Sequence, residues 1–187
     1  MMKVSDAIAR RRSIKKFRDR EVSREEIERL LDAAAQAPNH HLTQPWRFYV
    51  LGPEARHAYG AALGDRKARK MEDAEAGRMV RDKVAREHAA QPAMIAVAMV
   101  ESDNPEMREE DYASVMMAVQ NLCLAAVELG LGTHIRTGAV MQDPVARAAA
   151  GVAEGERIVA VISLGEPEIE PEPKARQPAT SHTTWLP

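Results

Sequence analysis

The sequence predicts one domain of 187 residues, numbered 1–187, in which α-helices are combined with a β-sheet. Two observations favour this fold class. Helical and strand patterns alternate along the whole chain, and no internal repeat is visible. Hydrophobic residues make up 45% of the chain and charged residues 29%, a globular balance in a chain long enough to bury a sizeable core. The spacing alone leaves open whether the sheet is parallel or mixed.

The helix and strand signals place the elements in a definite order. The predicted elements are a helix at 3–12, a helix at 24–37, a strand at 46–51, a small helix at 53–63, a charged helical segment at 65–88, a strand at 93–100, a loop at 101–111, a helix at 112–129, a strand at 133–137, a short helix at 144–150, a strand at 157–164 and an extended tail from 166.

Capping residues and prolines justify the elements of the first half of the chain. We expect Ser5 to cap the first helix. The capping box at 23–26 opens the second helix, and Pro38 ends it. Segment 65–88 is dense in charge and thin in apolar residues, which predicts a mobile surface helix and makes it a candidate lid.

Apolar patterning justifies the elements of the second half. The helix at 112–129 is apolar nearly all round, so we expect burial on every side and, because one domain supplies too little cover, a subunit interface. Gly130 is typical of a C-terminal helix cap. The Pro- and Glu-rich stretch at 166–178 predicts extended chain.

Charge and cysteine content limit the classes of function. The net charge of −2 gives no global case for binding nucleic acid or an anionic membrane. Cys123 is the only cysteine, so no internal disulfide is possible and a reducing compartment fits. The charged N-terminus lacks an apolar signal core, and the longest apolar stretch is too short to cross a bilayer. We therefore expect a cytoplasmic protein.

Two basic segments are candidates for binding an anion. Residues 10–18 read Arg-Arg-Arg-Ser-Ile-Lys-Lys-Phe-Arg, which suits a phosphate site because guanidinium groups grip phosphate oxygens in pairs. A solvated helix end and a nucleic-acid patch are the alternatives. Residues 174–176, Lys-Ala-Arg, follow an acidic run and are either a solvated tail or a second phosphate contact.

The loop at 37–46 is chemically dense, with two adjacent histidines between prolines. Zinc is the obvious rival here, but adjacent histidine side chains diverge in most backbones and no second ligand pair has zinc spacing. We therefore expect no metal. Cys123 is expected to pack as a small hydrophobe, because a thiol within an apolar helix is poorly ionised. Three further histidines are expected on the surface: His57, His88 and His182.

Four segments together resemble the FMN-dependent nitroreductase family, and they occur in the family's order and spacing. They are Ala-Ile-Ala-Arg-Arg-Arg-Ser-Ile-Lys-Lys-Phe at 7–17, Ala-Pro with Gln-Pro-Trp-Arg-Phe-Tyr-Val at 37–50, Ala-Val-Gln-Asn-Leu-Cys-Leu-Ala-Ala with Gly-Leu-Gly at 118–132, and Pro-Lys-Ala-Arg at 173–176. The resemblance runs from about Val4 to the C-terminus. The form of the loop is similar to that of the short NAD(P)H nitroreductases.

The resemblance implies an α+β homodimer whose central, mostly antiparallel sheet is wrapped by helices. It implies that the long apolar helix packs at the dimer interface, and that the arm at 165–187 crosses to the partner subunit. Two FMN molecules would lie at the interface, each contacted by both chains. The residues that match the family's flavin-binding positions are Arg11, Arg12 and Ser13 for the phosphate and ribityl chain, Lys15 near the pyrimidine edge, Gln36 and His40 across the interface, Arg136 and Thr137 on one side, and Lys174 and Arg176 from the tail.

The resemblance also implies the chemistry. Hydride passes from NAD(P)H to FMN and then to a small planar acceptor, a nitroaromatic or a quinone, in a ping-pong sequence. No side chain is expected to act as a catalytic acid or base. The alternatives are a reductive dehalogenase or a flavin-degrading enzyme on the same scaffold, and a non-catalytic FMN-binding protein.

Overall fold

The computed structural model describes residues 2–187 and contains a helical shell around one sheet. The α-helices are α1 (Val4–Arg10), α2 (Arg24–Ala35), α3 (Pro53–Ala68), α4 (Ala74–Ala89), α5 (Pro105–Glu128) and α6 (Pro144–Ala149). The strands are β1 (Trp46–Val50), β2 (Ala93–Val100), β3 (Gly132–Arg136) and β4 (Glu156–Gly165). Short 3-10 helices lie at Ala139–Gln142 and Ala179–His182.

The four strands form one sheet in the order β1-β2-β4-β3, and each neighbouring pair is antiparallel. This confirms the α+β class and the antiparallel sheet that the resemblance implied. The central strands β2 and β4 are bonded on both sides, and a register shift interrupts their pairing between Val97 and Ala98. The outer strands β1 and β3 are the edges of this sheet.

Helices cover both faces of the sheet, which explains why β2 is an unbroken apolar run. Alternate residues of this strand enter two separate clusters. On one face the core is built from α2, α5 and the strand residues Ile95, Val97 and Met99. On the other it is built from α3, α6 and the strand residues Met94 and Ala96. Burial on both faces removes the alternation of polar residues that a half-exposed strand shows.

The capping box is confirmed, since the Ser23 side chain accepts from Glu26 N at 3.1 Å and Glu26 Oε2 accepts from Ser23 N at 2.9 Å. The expected Ser5 cap is wrong, because the N-cap position of α1 is Lys3, without a side-chain cap. The expected loop at 101–111 is also wrong. There α5 begins at Pro105, and the side chain of Asn104 accepts from the backbone of the first turn.

The charged segment at 65–88 is not one surface helix. It contains the end of α3, a break at Asp73, which caps the next helix, and most of α4. The two helices pack closely, since a Cβ on Gly60 would lie 2.7 Å from the His88 Cβ and one on Gly64 would fall on the Arg81 backbone. The expectation that His88 is a surface residue is wrong, because it is 7% exposed.

The long helix α5 is buried on one side only within a single chain. Ser114, Val115, Ala118 and Leu122 are among its buried residues, whereas Met117 is 40% exposed. The expectation of burial on all sides is therefore not met by this chain alone. None of the helices within residues 2–187 combines the length and apolar character that a membrane-spanning segment requires.

Candidate functional site

The basic segment after α1 lies beside the edge strand β3. Ser13 forms a parallel bridge with Thr133, and the Ile14 backbone N–H donates to the Thr133 carbonyl oxygen at 2.9 Å. Ile14 is 3% exposed, and its side chain fills the space where Gly132 has no Cβ. The flanking Ser13 and Lys15 are exposed. The alternation along this extended segment thus anchors it through Ile14 and presents a hydroxyl and an ammonium to solvent.

The cations of this segment differ in whether a carboxylate neutralises them. Among residues 2–187, neither Arg11 nor Lys15 forms a salt bridge. Further along, Arg18 Nε lies 3.2 Å from one oxygen of Glu166, and Arg20 Nε lies 3.1 Å from the other. The positive charge available to an anionic ligand is therefore concentrated in the first half of the basic segment.

Arg12, which was predicted to bind a phosphate, also stabilises the C-terminal end of α1. Its Nη1 donates to the carbonyl oxygens of Ala9 at 2.7 Å and Arg11 at 2.9 Å, at the end of α1. These carbonyls lack partners within the helix, and a cation there also opposes the negative end of the helix dipole. Arg12 thus fixes the turn that leads from α1 into the strand-like segment.

Arg136 ends β3 and turns toward α4. Its Nη1 lies 2.5 Å from His88 Nε2, and its Nε lies 3.5 Å from His134 Nδ1. Burial lowers the pKa of Arg136 below its ordinary value, and the nearby Tyr59 and Glu87 act in the opposite direction. The hydrogen bonds described within residues 2–187 leave Nη2 of this guanidinium for a ligand.

His134 links the two cationic parts of the site. Burial lowers its pKa, and the charges of Arg136 and Lys15 lower it further. Lys15 and Arg136, which are far apart in sequence, thus both lie near enough to His134 for their charges to act on it. Sequence reasoning missed His134; the available signal was its position two residues before Arg136 on the same strand, where side chains share a face.

Thr137 follows β3 and lines a different space from Arg136. It borders a groove of about 460 Å³ together with Arg108 and Tyr112 of α5 and Met141 of the 3-10 helix. The guanidinium of Arg157 stacks over the Tyr112 ring, 5.4 Å from its centroid. Arg136 and Thr137, which were predicted to act together, thus lie on two different surfaces at the end of β3: Arg136 lies against α4, and Thr137 borders the groove.

The loop at 37–45 is held against α5. The Asn39 Nδ2 donates to Ser114 Oγ at 3.3 Å, and the Thr43 hydroxyl donates to Asp111 Oδ1 at 2.5 Å. Within this loop His40 is exposed, and its Nδ1 lies 3.0 Å from Glu110 Oε1. Gln36, the other predicted flavin contact of this region, is the exposed C-cap of α2.

The tail leaves the body of the chain after its first residues. The Glu168 backbone N–H donates to the Lys16 carbonyl oxygen at 3.1 Å, and Phe17 forms an antiparallel bridge with Pro167. Beyond this point, no hydrogen bond or salt bridge described within residues 2–187 ties 169–187 to the rest of the chain. Lys174 and Arg176 are both exposed, and within residues 2–187 neither forms a hydrogen bond or salt bridge with the basic segment.

Cys123 lies in the interior of α5 and is fully buried. Burial raises the pKa of its thiol, and the Thr133 side chain and the charge of Arg11 act in the opposite direction. This agrees with a packing role, because the thiol rather than the nucleophilic thiolate is favoured.

The fold is that of an α+β protein with an exposed basic segment beside an edge strand. The Nitroreductase family model matches residues 8–166, and the chain belongs to the nitroreductase family. It is 32% identical over 184 residues to "Putative NAD(P)H nitroreductase YfhC" of Bacillus subtilis, an alignment that covers 97% of this chain and 93% of that protein.

Solved structures agree with this assignment. The nitroreductase-like family protein from Bacillus cereus superposes with a TM-score of 0.86 and 30% identity, over 100% of this chain and 97% of that one. A "putative nitroreductase in complex with FMN" from Desulfovibrio desulfuricans gives a TM-score of 0.75 and 25% identity, over 100% and 98% of the two chains.

Proposed function

We propose that this protein is an FMN-dependent oxidoreductase that takes hydride from NAD(P)H and reduces small planar acceptors. The observation that carries the proposal is the pair of un-neutralised cations, Arg11 and Lys15, in an extended segment fixed to β3. Arginine and a serine hydroxyl are the donors that a phosphate monoester requires. The Desulfovibrio relative, whose fold this chain shares, is described as an FMN complex.

Two groups of residues in this chain fit the two parts of a flavin mononucleotide, its phosphate with the ribityl chain and its ring. Arg11, Arg12 and Ser13 would hold the phosphate and ribityl chain. Lys15, near His134, would lie by the pyrimidine edge of the ring, with Arg136 and Thr137 completing that side. A positive charge at this edge would stabilise an anionic reduced ring, and exclusion of water would strengthen the effect.

The remaining predicted contacts require a second copy of the chain. Exposed residues of α5 recur at the spacing of one helical face, at Ala113, Met117 and Gln120. We propose that this face meets its equivalent in a homodimer. Gln36 and His40 would then reach the flavin of the partner subunit, and Lys174 and Arg176 would close on the phosphate from the tail at 165–187.

The cofactor, when bound, supplies the redox chemistry by accepting and donating hydride. The protein's part is to bind the phosphate, orient the ring and hold cations at its polar edge. No side chain of the site needs to act as a general base. Nitroaromatics and quinones are the acceptors proposed, because flat molecules can take the place that the nicotinamide leaves in a ping-pong sequence.

The test begins with the absorption spectrum of the purified protein. We expect a yellow protein with bound FMN, which bleaches on anaerobic addition of NADH or NADPH and recovers its colour when a quinone is added. Steady NAD(P)H oxidation in the presence of quinone excludes a protein that only stores flavin. Chromatography of the released cofactor after many turnovers distinguishes reduction of an acceptor from breakdown of FMN. A colourless protein that does not bind added FMN would refute the proposal.

A further inference from the structure

The two adjacent histidines of the loop do not diverge, contrary to the expectation from sequence. The His40 and His41 rings stack with centroids 4.1 Å apart and planes inclined by 28°. Each presents a ring nitrogen to the carboxylate of Glu110 on α5. Potential ligand atoms of all three residues lie within 4.8 Å of one another. The first of the two reasons for excluding a metal at this loop is therefore removed, and Glu110 supplies a third ligand that is distant in sequence.

Two of the distances between ligand atoms are close to the separation of neighbouring ligands around a metal ion, although they involve different oxygens of Glu110. His40 Nδ1 lies 3.0 Å from Glu110 Oε1, and His41 Nε2 lies 3.2 Å from Glu110 Oε2. In a tetrahedral zinc site with bonds of about 2.0–2.1 Å, neighbouring ligand atoms are separated by about 3.3 Å. To hold one ion, the side chains would have to separate slightly and the stacked rings would have to turn, so that both ring nitrogens point at a common position.

The contact between His41 and Glu110 is not an ordinary hydrogen bond. Glu110 Oε2 is shielded from solvent and has no hydrogen-bond partner of acceptable geometry, although the His41 nitrogen is close. In a hydrogen bond the N–H points at the acceptor, whereas two ligands of one metal point at a third position between them. Among the hydrogen bonds described within residues 2–187, Glu110 Oε2 is thus left available as a metal ligand.

The loop that carries the histidines is fixed in place. Asn39 and Thr43 bond to α5 on either side of the histidine pair, at Ser114 and Asp111. Leu42 and Gln44 have φ angles of 51° and 45°, in the left-handed region that non-glycine residues rarely adopt. This geometry persists where surrounding contacts determine it. The ligand set is thus presented by a defined loop and a helix, which is what a metal site needs.

We propose that His40, His41 and Glu110 bind a divalent transition metal, with Zn²⁺ as the best match. Two imidazoles and one carboxylate suit zinc, whereas Mg²⁺ and Ca²⁺ prefer oxygen ligands alone. In a single chain the histidine side chains are 68% and 47% exposed, so water can take the remaining coordination position; in the homodimer proposed above, this position would face the partner subunit's flavin site. The bound ion would clip the loop at 37–45 to α5, in addition to the redox function proposed above.

The experiment is a calorimetric titration of tag-free, FMN-loaded protein with zinc chloride, alongside thermal unfolding with and without zinc. We expect one Zn²⁺ per chain and a rise in Tm, since a ligand that binds the folded state stabilises it. His41→Ala and Glu110→Gln should each weaken zinc binding by at least about tenfold, the lower limit found when only the outer partners of a metal ligand are lost. His57→Ala, an exposed histidine on α3, is the matched control and should bind as the wild type does.

Wild-type protein that shows no saturable zinc binding would overturn the proposal. So would zinc binding that is equally strong in wild type, His41→Ala and Glu110→Gln, because the ion would then be held elsewhere. Glu110→Gln keeps the size of the side chain, which guards against misfolding as the cause of a loss. The FMN absorbance of each variant is recorded separately, so failure of flavin binding and failure of metal binding are distinguished.

Discussion

Arg136 and His88 form a 2.5 Å contact between the end of β3 and the last turn of α4. The other nitrogen of the same ring, Nδ1, lies 2.8 Å from the Val84 carbonyl oxygen. A guanidinium only donates hydrogen bonds and a carbonyl only accepts them. His88 is therefore neutral, with its proton on Nδ1. Burial lowers the pKa of His88 and the charge of Arg136 lowers it further, against the effect of the Val84 hydrogen bond, in agreement with a neutral ring.

Replacement of His88 by leucine is expected to destabilise the protein by about 2 kcal/mol, because a largely buried guanidinium loses its acceptor. Leucine retains most of the volume and apolar contact of the imidazole. The free energy of unfolding, measured with urea, reports the change. His57→Leu, on the exposed side of α3, is the control and should alter stability by less than about 0.5 kcal/mol. Equal effects of the two substitutions would show that the Arg136 contact contributes nothing.

The lowered pKa values of two histidines, His88 and His134, predict that the stability of the protein depends on pH. Burial is the main cause that lowers the pKa values of His88 and His134 from their ordinary value of 6.5. The unfolded chain therefore binds protons more tightly than the folded one. The contribution to stability is fully present above pH 6.5 and is lost as the pH falls below it toward the folded-state pKa values.

We expect the unfolding free energy of the wild type to decrease between about pH 7 and about pH 5, and to do so less steeply in His88→Leu, which has one fewer buried histidine. Urea titrations at a series of pH values give both slopes. The difference between them isolates His88 from the carboxylates that titrate in the same range. Identical slopes would mean that this ring binds a proton equally well in the folded and unfolded chains.

Much of the fold could be predicted because its signals are local. The strand at 93–100 has the bounds given by its apolar run, and the capping box sets the start of α2. The predicted start of α5 is too late, because the acidic residues after Pro105 have a loop-like composition, although Asn104 and Pro105 form a good helix start. The break before α4 is similarly explained by the Asp73 cap.

The site could be predicted only where its residues are contiguous. The basic segment at 10–18 stands out by composition alone. His88 meets Arg136 across 48 positions and His40 meets Glu110 across 70, and no periodicity in the sequence reports such contacts. A lone histidine on a charged helix is most often exposed, so the burial of His88 follows from the close approach of α3, which Gly60 permits.

The packing of α3 on α4 depends on a second glycine. A Cβ at Gly64 would lie 2.5 Å from the Arg81 Cα and 2.9 Å from its carbonyl oxygen, and backbone atoms cannot yield as a flexible side chain would. We expect Gly64→Ala to destabilise the protein by about 2 kcal/mol or more. Gly77→Ala on α4 is the matched control, because its Cβ would meet only the Ala68 methyl at 3.4 Å.

Gly77→Ala is expected to be neutral or to stabilise by up to about 1 kcal/mol, since alanine restricts the unfolded chain more than glycine does. Thermal unfolding of the two variants side by side checks the pair. A Gly64→Ala protein as stable as Gly77→Ala would mean that α3 and α4 can move apart without loss of stability. The two helices would then form a mobile hairpin and not a tightly packed pair.

The proposed phosphate site predicts unequal effects of two arginines in one basic segment. Arg11→Ala should weaken FMN binding by tenfold or more, the equivalent of about 1.4 kcal/mol for a lost charged hydrogen bond. Arg18→Ala should change it little, because Arg18 already pairs with Glu166 and bonds to the Pro167 carbonyl oxygen. Quenching of FMN fluorescence on titration with apoprotein measures both affinities. If the two variants lose affinity equally, FMN binding depends only on the net charge of the segment, and Arg11 makes no specific contact to the phosphate.

The exposed face of α5 predicts the state of assembly. Ala113, Met117 and Gln120 lie on this face, and the partly exposed Leu124 and Val127 continue it at helical spacing. Met117→Lys would bury an ammonium in an apolar contact between two copies, at a cost that a single interface cannot offset. Light scattering coupled to gel filtration should give twice the chain mass of 20.6 kDa for the wild type and the single-chain mass for the variant. Met79→Lys, at a methionine that is 68% exposed on α4, should remain dimeric. A Met117→Lys protein that still elutes as a dimer, with its FMN retained, would place the interface on another surface.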